Sequence, residues 1–219
     1  MVQSLLSSRY TAVNDVNEVR LVDVSSIVFW LVLLGLVGYV INIYNRLVTL
    51  RNRFQNAFSQ IEVQLKRRYD LIPSLVEVAK GYMAHERETL EAVISARNNA
   101  ASILQAISKA GAGGSEMAQL SSAESALGSA LGSLNVTMEA YPDLKASENM
   151  NQLSEELTTT ENRVAFSRQG YNDAVTAYNT YRQSFPPVFF AVRFGHPDDA
   201  ALLEFADSEQ IQAAPKVEF

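Results

Sequence analysis

The chain has 219 residues, of which 47% are hydrophobic and 19% charged, with a formal net charge of -6 and no cysteine. A domain of about 100 to 150 residues with an anchor and tails fills that length, leaving no room for a second full core. Without cysteine there is no disulfide, thiolate metal site or cysteine nucleophile, and the acidic balance argues against nucleic-acid binding, which needs a basic surface to displace counterions.

Residues 1–23 read as a short N-terminal segment. From Val24 to Ile43 the sequence VSSIVFWLVLLGLVGYVINI carries no charge, and the flanking charges are Asp23 and Arg46. About 20 apolar residues of helix cross a hydrocarbon core of about 30 Å, so this is read as one transmembrane helix. Its marker positions are Val24, Ile27, Trp30, Leu34, Gly35, Gly38 and Ile43. A cleaved signal peptide fits worse, because its apolar region is usually about 7 to 15 residues and ends at a small-residue cleavage site. Gly35 and Gly38 are not spaced as GxxxG, so close helix packing through them is an even choice. Arginines near the span number two before it (Arg9, Arg20) and three after it (Arg46, Arg51, Arg53). That balance favours an N-terminus outside and a cytoplasmic body at a bacterial inner membrane.

A helical pattern runs from Arg46 to about Ser108, with apolar residues in steps of three and four from Leu47 and Leu50 to Leu90 and Ile94. Phe54, Leu65 and Val76 recur eleven apart, a period that keeps the apolar stripe straight. Pro73 is expected to kink or interrupt this helix, since it lacks a donor and crowds the preceding turn. Gly111 to Gly114 mark a reversal, with Ser115 as the expected N-cap of a helix to about Ala140. That helix is thin, with Leu120, Leu127, Leu131, Leu134 and Met138 set among Ala, Ser and Gly, and close packing is expected of it. After a loop at Tyr141, Pro142 and Asp143, a seven-residue seam of Met150, Leu157, Val164, Tyr171, Tyr178 and Phe185 fits a bundle helix ending at Pro186 and Pro187. The apolar VFFAVRF from Val188 to Phe194 follows. Beyond Gly195 the chain is acidic and helix-poor except at Asp199 to Ala206, so residues 188–219 are expected to be a peripheral tail.

Particular stretches carry a family resemblance. YNRLVTLRN from Tyr44, QIEVQLKRRYDLIPSLVEVAKGY from Gln60, HERETLEAV from His85, and AYPDLKASENMNQLSEEL running on into TTTENRVAFSRQGYNDAVTAYNTYRQSFP resemble LemA-family proteins. The resemblance covers about three quarters of the chain, including the N-terminal anchor. It departs at Phe58, where tryptophan is expected, and after Pro187. It implies an all-α architecture, an antiparallel up-and-down bundle over residues 44–187 on a single membrane helix, and supplies no catalytic residues.

The chemistry-bearing residues favour interaction over reaction. His85-Glu86 opens an HExxH pattern, but position 89 is Thr, so the second ligand is missing and a surface helix end is the better reading. Gly195-His196-Pro197 reads as a turn. Lys66, Arg67 and Arg68, with Asp70 behind them, form the one basic cluster. On a straight helix the cluster stands roughly 35 Å past Ile43, several Debye lengths of about 8 Å from headgroups on that side. Glu155, Glu156 and Glu161 on the last long helix are better partners, as register pairs within or between subunits. No catalytic, metal or cofactor site and no small-molecule substrate is expected. The straight stripe, longer than any one downstream helix, motivates a membrane-anchored scaffold that self-associates into a homo-oligomer. The second reading is an adaptor or regulator presenting the bundle to another membrane protein, such as a protease or transporter.

Overall fold

A computed structural model of the chain describes residues 2–110 and 113–205; for residues 2–23 and 110 it describes the helical backbone only. The described residues form helices and no strand: α1 (Val2–Lys80), α2 (Arg87–Ala110), α3 (Gly114–Met138), α4 (Pro142–Lys145), α5 (Glu148–Gln183) and α6 (Pro187–Ala191). Two compact units divide the chain at Arg46 and Leu47. In the first, α1 carries the one stretch of the described residues long and apolar enough to cross a membrane. The side chains of the N-terminal segment 1–23, with Arg9 and Arg20, lie outside the described residues.

The second unit is an up-and-down bundle. Facing pairs give its directions. Glu62 meets Ser108 and Tyr69 meets Arg97, so α2 runs against α1; Arg68 meets both Glu124 and Glu161, which belong to α3 and α5. Phe54 packs edge-on against Tyr178 and Phe58 against Tyr171, so α5 also runs against α1. The core joins Ile61, Leu65, Ile72 and Ala79 of α1 to Val93 and Leu104 of α2, Leu120 and Leu127 of α3, and Val164 and Tyr171 of α5. Steps of three and four along each helix turn one face inward, as the sequence pattern requires.

Several expectations are corrected. Pro73 does not interrupt α1, which continues to Lys80. Proline offers no N–H to the Tyr69 carbonyl one turn earlier, and the Arg97 guanidinium takes its place, Nε donating to that oxygen at 2.9 Å. The break falls instead at 81–86, so the single pattern from Arg46 to Ser108 is two helices folded on each other. Consequently the apolar stripe is not left uncovered: Leu47, Leu50, Ile61, Leu65, Ile72, Ala79 and Met83 are all buried within this chain. The N-cap of α3 is Gly113 rather than Ser115, whose hydroxyl turns to Glu116. The close packing expected of α3 is made against α2, and not at Gly128 or Gly132, where a Cβ would meet nothing within 4 Å. Phe185 leaves the seam and is 81% exposed, since α5 ends at Gln183 ahead of the two prolines.

The segment after α6, expected to be peripheral, is a strap on the bundle. Residues 199–205 are not helical, and Leu203 is fully buried in the core. Two asparagines of α5 hold the strap backbone in both directions. Asn179 accepts from Ala200 N at 2.9 Å and donates to Ala200 O at 2.9 Å. Asn172 does the same with Leu203, at 2.9 and 3.1 Å. Tyr171 Oη donates to Ala201 O at 2.8 Å, and Ser121 of α3 donates to the Glu204 carbonyl. Backbone groups of a non-helical segment are thereby satisfied by side chains in place of a sheet.

Candidate functional site

Three places in the described residues depart from an ordinary helical core. The first is the span. Val24, Ile27, Trp30 and Leu34 are each more than half exposed, no neighbour lies within 4 Å of a Cβ built at Gly35 or Gly38, and Ile43 at the end of the span is buried. An exposed apolar helix of this length is stable in hydrocarbon and not in water, where burying such surface is the main driving force of folding.

The second is a polar knot among α1, α3 and α5. Arg68 Nη1 donates to Glu124 Oε2 at 2.8 Å with both side chains almost wholly buried, and Arg68 Nη2 reaches Glu161 Oε1 at 3.4 Å at the rim. The Tyr69 hydroxyl donates to the other Glu124 oxygen. Burial raises the Glu124 carboxyl above its ordinary value, against the opposing pull of Arg68 and Tyr69. Burial likewise raises the Tyr69 phenol, with the Glu124 charge adding to it. Arg68 Nε has no hydrogen-bond partner. Arg168 lies 4.5 Å over the Phe205 ring, joining the strap to a cavity of about 400 Å³ that Arg68, Glu161 and Gly128 also line.

The other charged candidates disperse. Lys66 pairs with Glu62 one turn back at 2.5 Å, Arg67 is exposed, Asp70 stands 3.8 Å from Arg97, and Glu155 and Glu156 are exposed on α5. Of the three carboxylates proposed as partners of the basic cluster, the structure brings only Glu161 to it. Sequence reading missed Glu124, the buried partner, which stands on a polar-looking stretch of α3; its signal was a carboxylate at an inward position beside Leu120 and Leu127.

The third is the α5–α6 corner. Tyr178 Oη and His196 Nδ1 lie 3.0 Å apart in a buried pair, and the phenol donates when the imidazole carries its proton on Nε2. Burial, then the nearby Arg51 and Arg182, lowers the imidazole below its ordinary range. Burial alone pushes the Tyr171 phenol up to about 12. Beside this pair Phe185, Val188, Phe189 and Val192 are exposed. His85 sits exposed in the loop before α2, and Glu86 accepts from Tyr141 Oη at 3.1 Å, so this pair helps join that loop to the α3–α4 turn. Among the described residues no group of three His, Cys, Asp or Glu side chains converges as metal ligands would.

Comparison with known proteins bears on these features. The model of the LemA family matches residues 57–219. Protein LemA of Metamycoplasma hominis is 29% identical over 162 residues, 73% of this chain and 68% of that protein. Magnetosome protein MamQ 2 of Paramagnetospirillum magneticum is 26% identical over 158 residues, 65% of this chain and 58% of that protein. Magnetosome protein MamQ of Magnetospirillum gryphiswaldense is 25% identical over 180 residues, 74% of this chain and 66% of that protein. The chain thus spans less than two thirds of the MamQ proteins it matches. None of these names designates a reaction.

Proposed function

We propose that this chain, which belongs to the LemA family, is a membrane-anchored helical scaffold that self-associates into a homo-oligomer. The observation that carries the anchor is the exposed apolar span, whose Val24, Ile27, Trp30 and Leu34 are left uncovered among the described residues. With the α1 stripe buried internally, self-association rests on the α1–α5 face. There Val63 and Phe166 are 58% and 80% exposed, and Gln64 Oε1 is buried without a hydrogen-bond partner. A second copy of the same face would cover Val63 and the Phe166 ring, as an isologous interface does. The arginines after the span, three against two before it, support a body on the cytoplasmic side of a bacterial inner membrane.

Mass measurement of the detergent-solubilised full chain tests it. Multiples of the 24.2 kDa chain are expected, falling to monomer in Phe166→Asp with helicity kept, whereas monomer alone at all concentrations defeats the proposal.

An adaptor role is the second reading, favoured by a cleft of about 1000 Å³ at the 81–86 loop. Val76, Met83, Leu90 and Ile94 line it, with Lys80, Arg87 and Glu91 among the charged residues present, a composition that suits an apolar anchor from a partner. Crosslinking from a photoreactive residue at Leu90 in native membranes then recovers a different polypeptide in preference to a second copy.

A further inference from the structure

We infer that the α5–α6 corner is a second membrane contact, with Phe185, Val188, Phe189 and Val192 inserted into the lipid interface on the side where α1 leaves the membrane. This rests on the reading of residues 24–43 as the membrane anchor.

Val188, Phe189 and Val192 stand at intervals of one, three and four and are 43, 69 and 63% exposed, whereas Pro187 and Ala191 are buried; Phe185, just before α6, is 81% exposed. One face of a short helical turn is therefore apolar and uncovered. The turn is fixed from within: Gly195, at a φ of 81°, takes the left-handed position after the helical turn. His196 N bonds Ala191 O at 2.9 Å and Gly195 N bonds Val192 O at 3.3 Å, the pair of bonds that closes a helix end. Phe185 and Phe189 meet edge to face at 5.8 Å. A preformed apolar wedge loses little conformational entropy on insertion.

Chain connectivity says what covers it. Arg51 Nη1 donates to Gly195 O at 3.4 Å, and Arg51 follows Ile43 by eight residues. Eight residues span about 12 Å as helix and no more than about 28 Å fully extended, so the corner is held within reach of the bilayer surface. Charge agrees. Despite the net charge of -6, no Asp or Glu occurs in residues 44–61 or 184–197, which bring Arg46, Arg51, Arg53 and Arg193. Those four arginines are exposed, and cations beside an apolar wedge suit anionic phospholipid headgroups. At the edge of this acid-free zone Asp199 is held by Arg182 and Gln183, and Asp198 is exposed. Tyr39 and Tyr44, 49% and 45% exposed, lie at the C-terminal end of the span, where aromatic side chains suit a membrane interface.

The absence of cysteine permits a direct test with single environment-sensitive labels on the full chain. Labels at Phe189→Cys, Leu34→Cys and Val136→Cys are compared in vesicles of phosphatidylcholine and phosphatidylglycerol carrying nitroxide lipids, with the spin placed either near the headgroup or deep in the chains. The Phe189 label is expected to blue-shift and to be quenched by the shallow nitroxide about twofold or more over the Val136 label, as an interfacial helix would be. The Leu34 label responds to the deep nitroxide. A quenched Leu34 label with an unquenched Phe189 label overturns the second contact and leaves the anchor standing. An unquenched Leu34 label removes the anchor reading and this inference with it. A Phe189 label that is blue-shifted but untouched by either nitroxide means that a second copy or another protein covers the patch, which also overturns the lipid assignment.

Discussion

Arg68 and Glu124 illustrate how a buried charge is tolerated only as a set. The guanidinium spends two of its donor groups on two carboxylates, and Glu124 accepts from both Arg68 and Tyr69, so each ionic group in the core has its partner. Removing one member leaves the other charged without compensation, which costs about 3 to 5 kcal/mol, whereas replacing the whole set with apolar groups of similar volume is often neutral or stabilising. Arg68→Met and Glu124→Leu are therefore each expected to lower unfolding stability by about 3 to 5 kcal/mol, and the triple Arg68→Met/Tyr69→Phe/Glu124→Leu to recover most of it. Denaturant titration of the detergent-solubilised protein reads this; a triple variant weaker than both singles would show that the knot itself stabilises the fold. His196 gives the pH dependence. Its folded pKa lies below the ordinary value of 6.5, so just below that pH the unfolded chain binds a proton that the folded chain refuses. Stability contributed by the neutral ring is complete above about pH 6.5 and is lost as pH falls through the folded value. Melting curves of the wild type are expected to fall between about pH 7 and pH 5 more steeply than those of His196→Gln, in which this proton uptake is absent.

At the scale of elements, Pro73 and Arg97 form one device on two helices. The proline leaves the Tyr69 carbonyl without its helical donor, and a guanidinium from α2 satisfies it while fixing the register of α2 against α1. Hydrogen bonds from charged donors contribute about 1.5 to 3 kcal/mol. Arg97→Ala should cost about that much in the wild type and clearly less in Pro73→Ala, where the backbone donor returns. Equal costs in the two backgrounds, measured by a double-mutant cycle, would separate the arginine from the proline. The same pair marks where sequence reading stopped. The apolar steps along α1, α3 and α5, the reversal before Ser115 and the end of α5 at the prolines were legible, because periodicity and chain breakers are local signals. The continuation through Pro73 was not, since the freed Tyr69 carbonyl is satisfied by a side chain 28 residues further along the chain than Tyr69. Of the polar knot, Arg68 and Glu161 were legible as charges on facing helices, whereas the inward position of Glu124 between Leu120 and Leu127 names no partner until Arg68 and Tyr69 are placed beside it.

For the molecule as a whole, the strap after α6 changes what counts as the bundle. Its burial of Leu203 and its paired bonds to Asn172 and Asn179 make 196–205 part of the fold on which the four helices close. Asn172→Ala with Asn179→Ala should leave the helices intact and expose the strap, lowering stability by about 2 to 4 kcal/mol for four bonds of about 0.5 to 1 each. Hydrogen exchange at the Ala200 and Leu203 amides checks it, with unchanged protection in the double variant refuting the role. A geometrical coincidence underlies the arrangement. Asn172 and Asn179 are seven residues apart on a helix, about 10.5 Å, while Ala200 and Leu203 are three apart on extended chain, about 10 Å. The two repeats agree at that spacing to within about 1 Å. The strap is consequently a gauge of α5: one residue inserted between Ala200 and Leu203, or one turn removed between the asparagines, puts both teeth out of mesh together, whereas length added beyond Phe205 leaves them engaged.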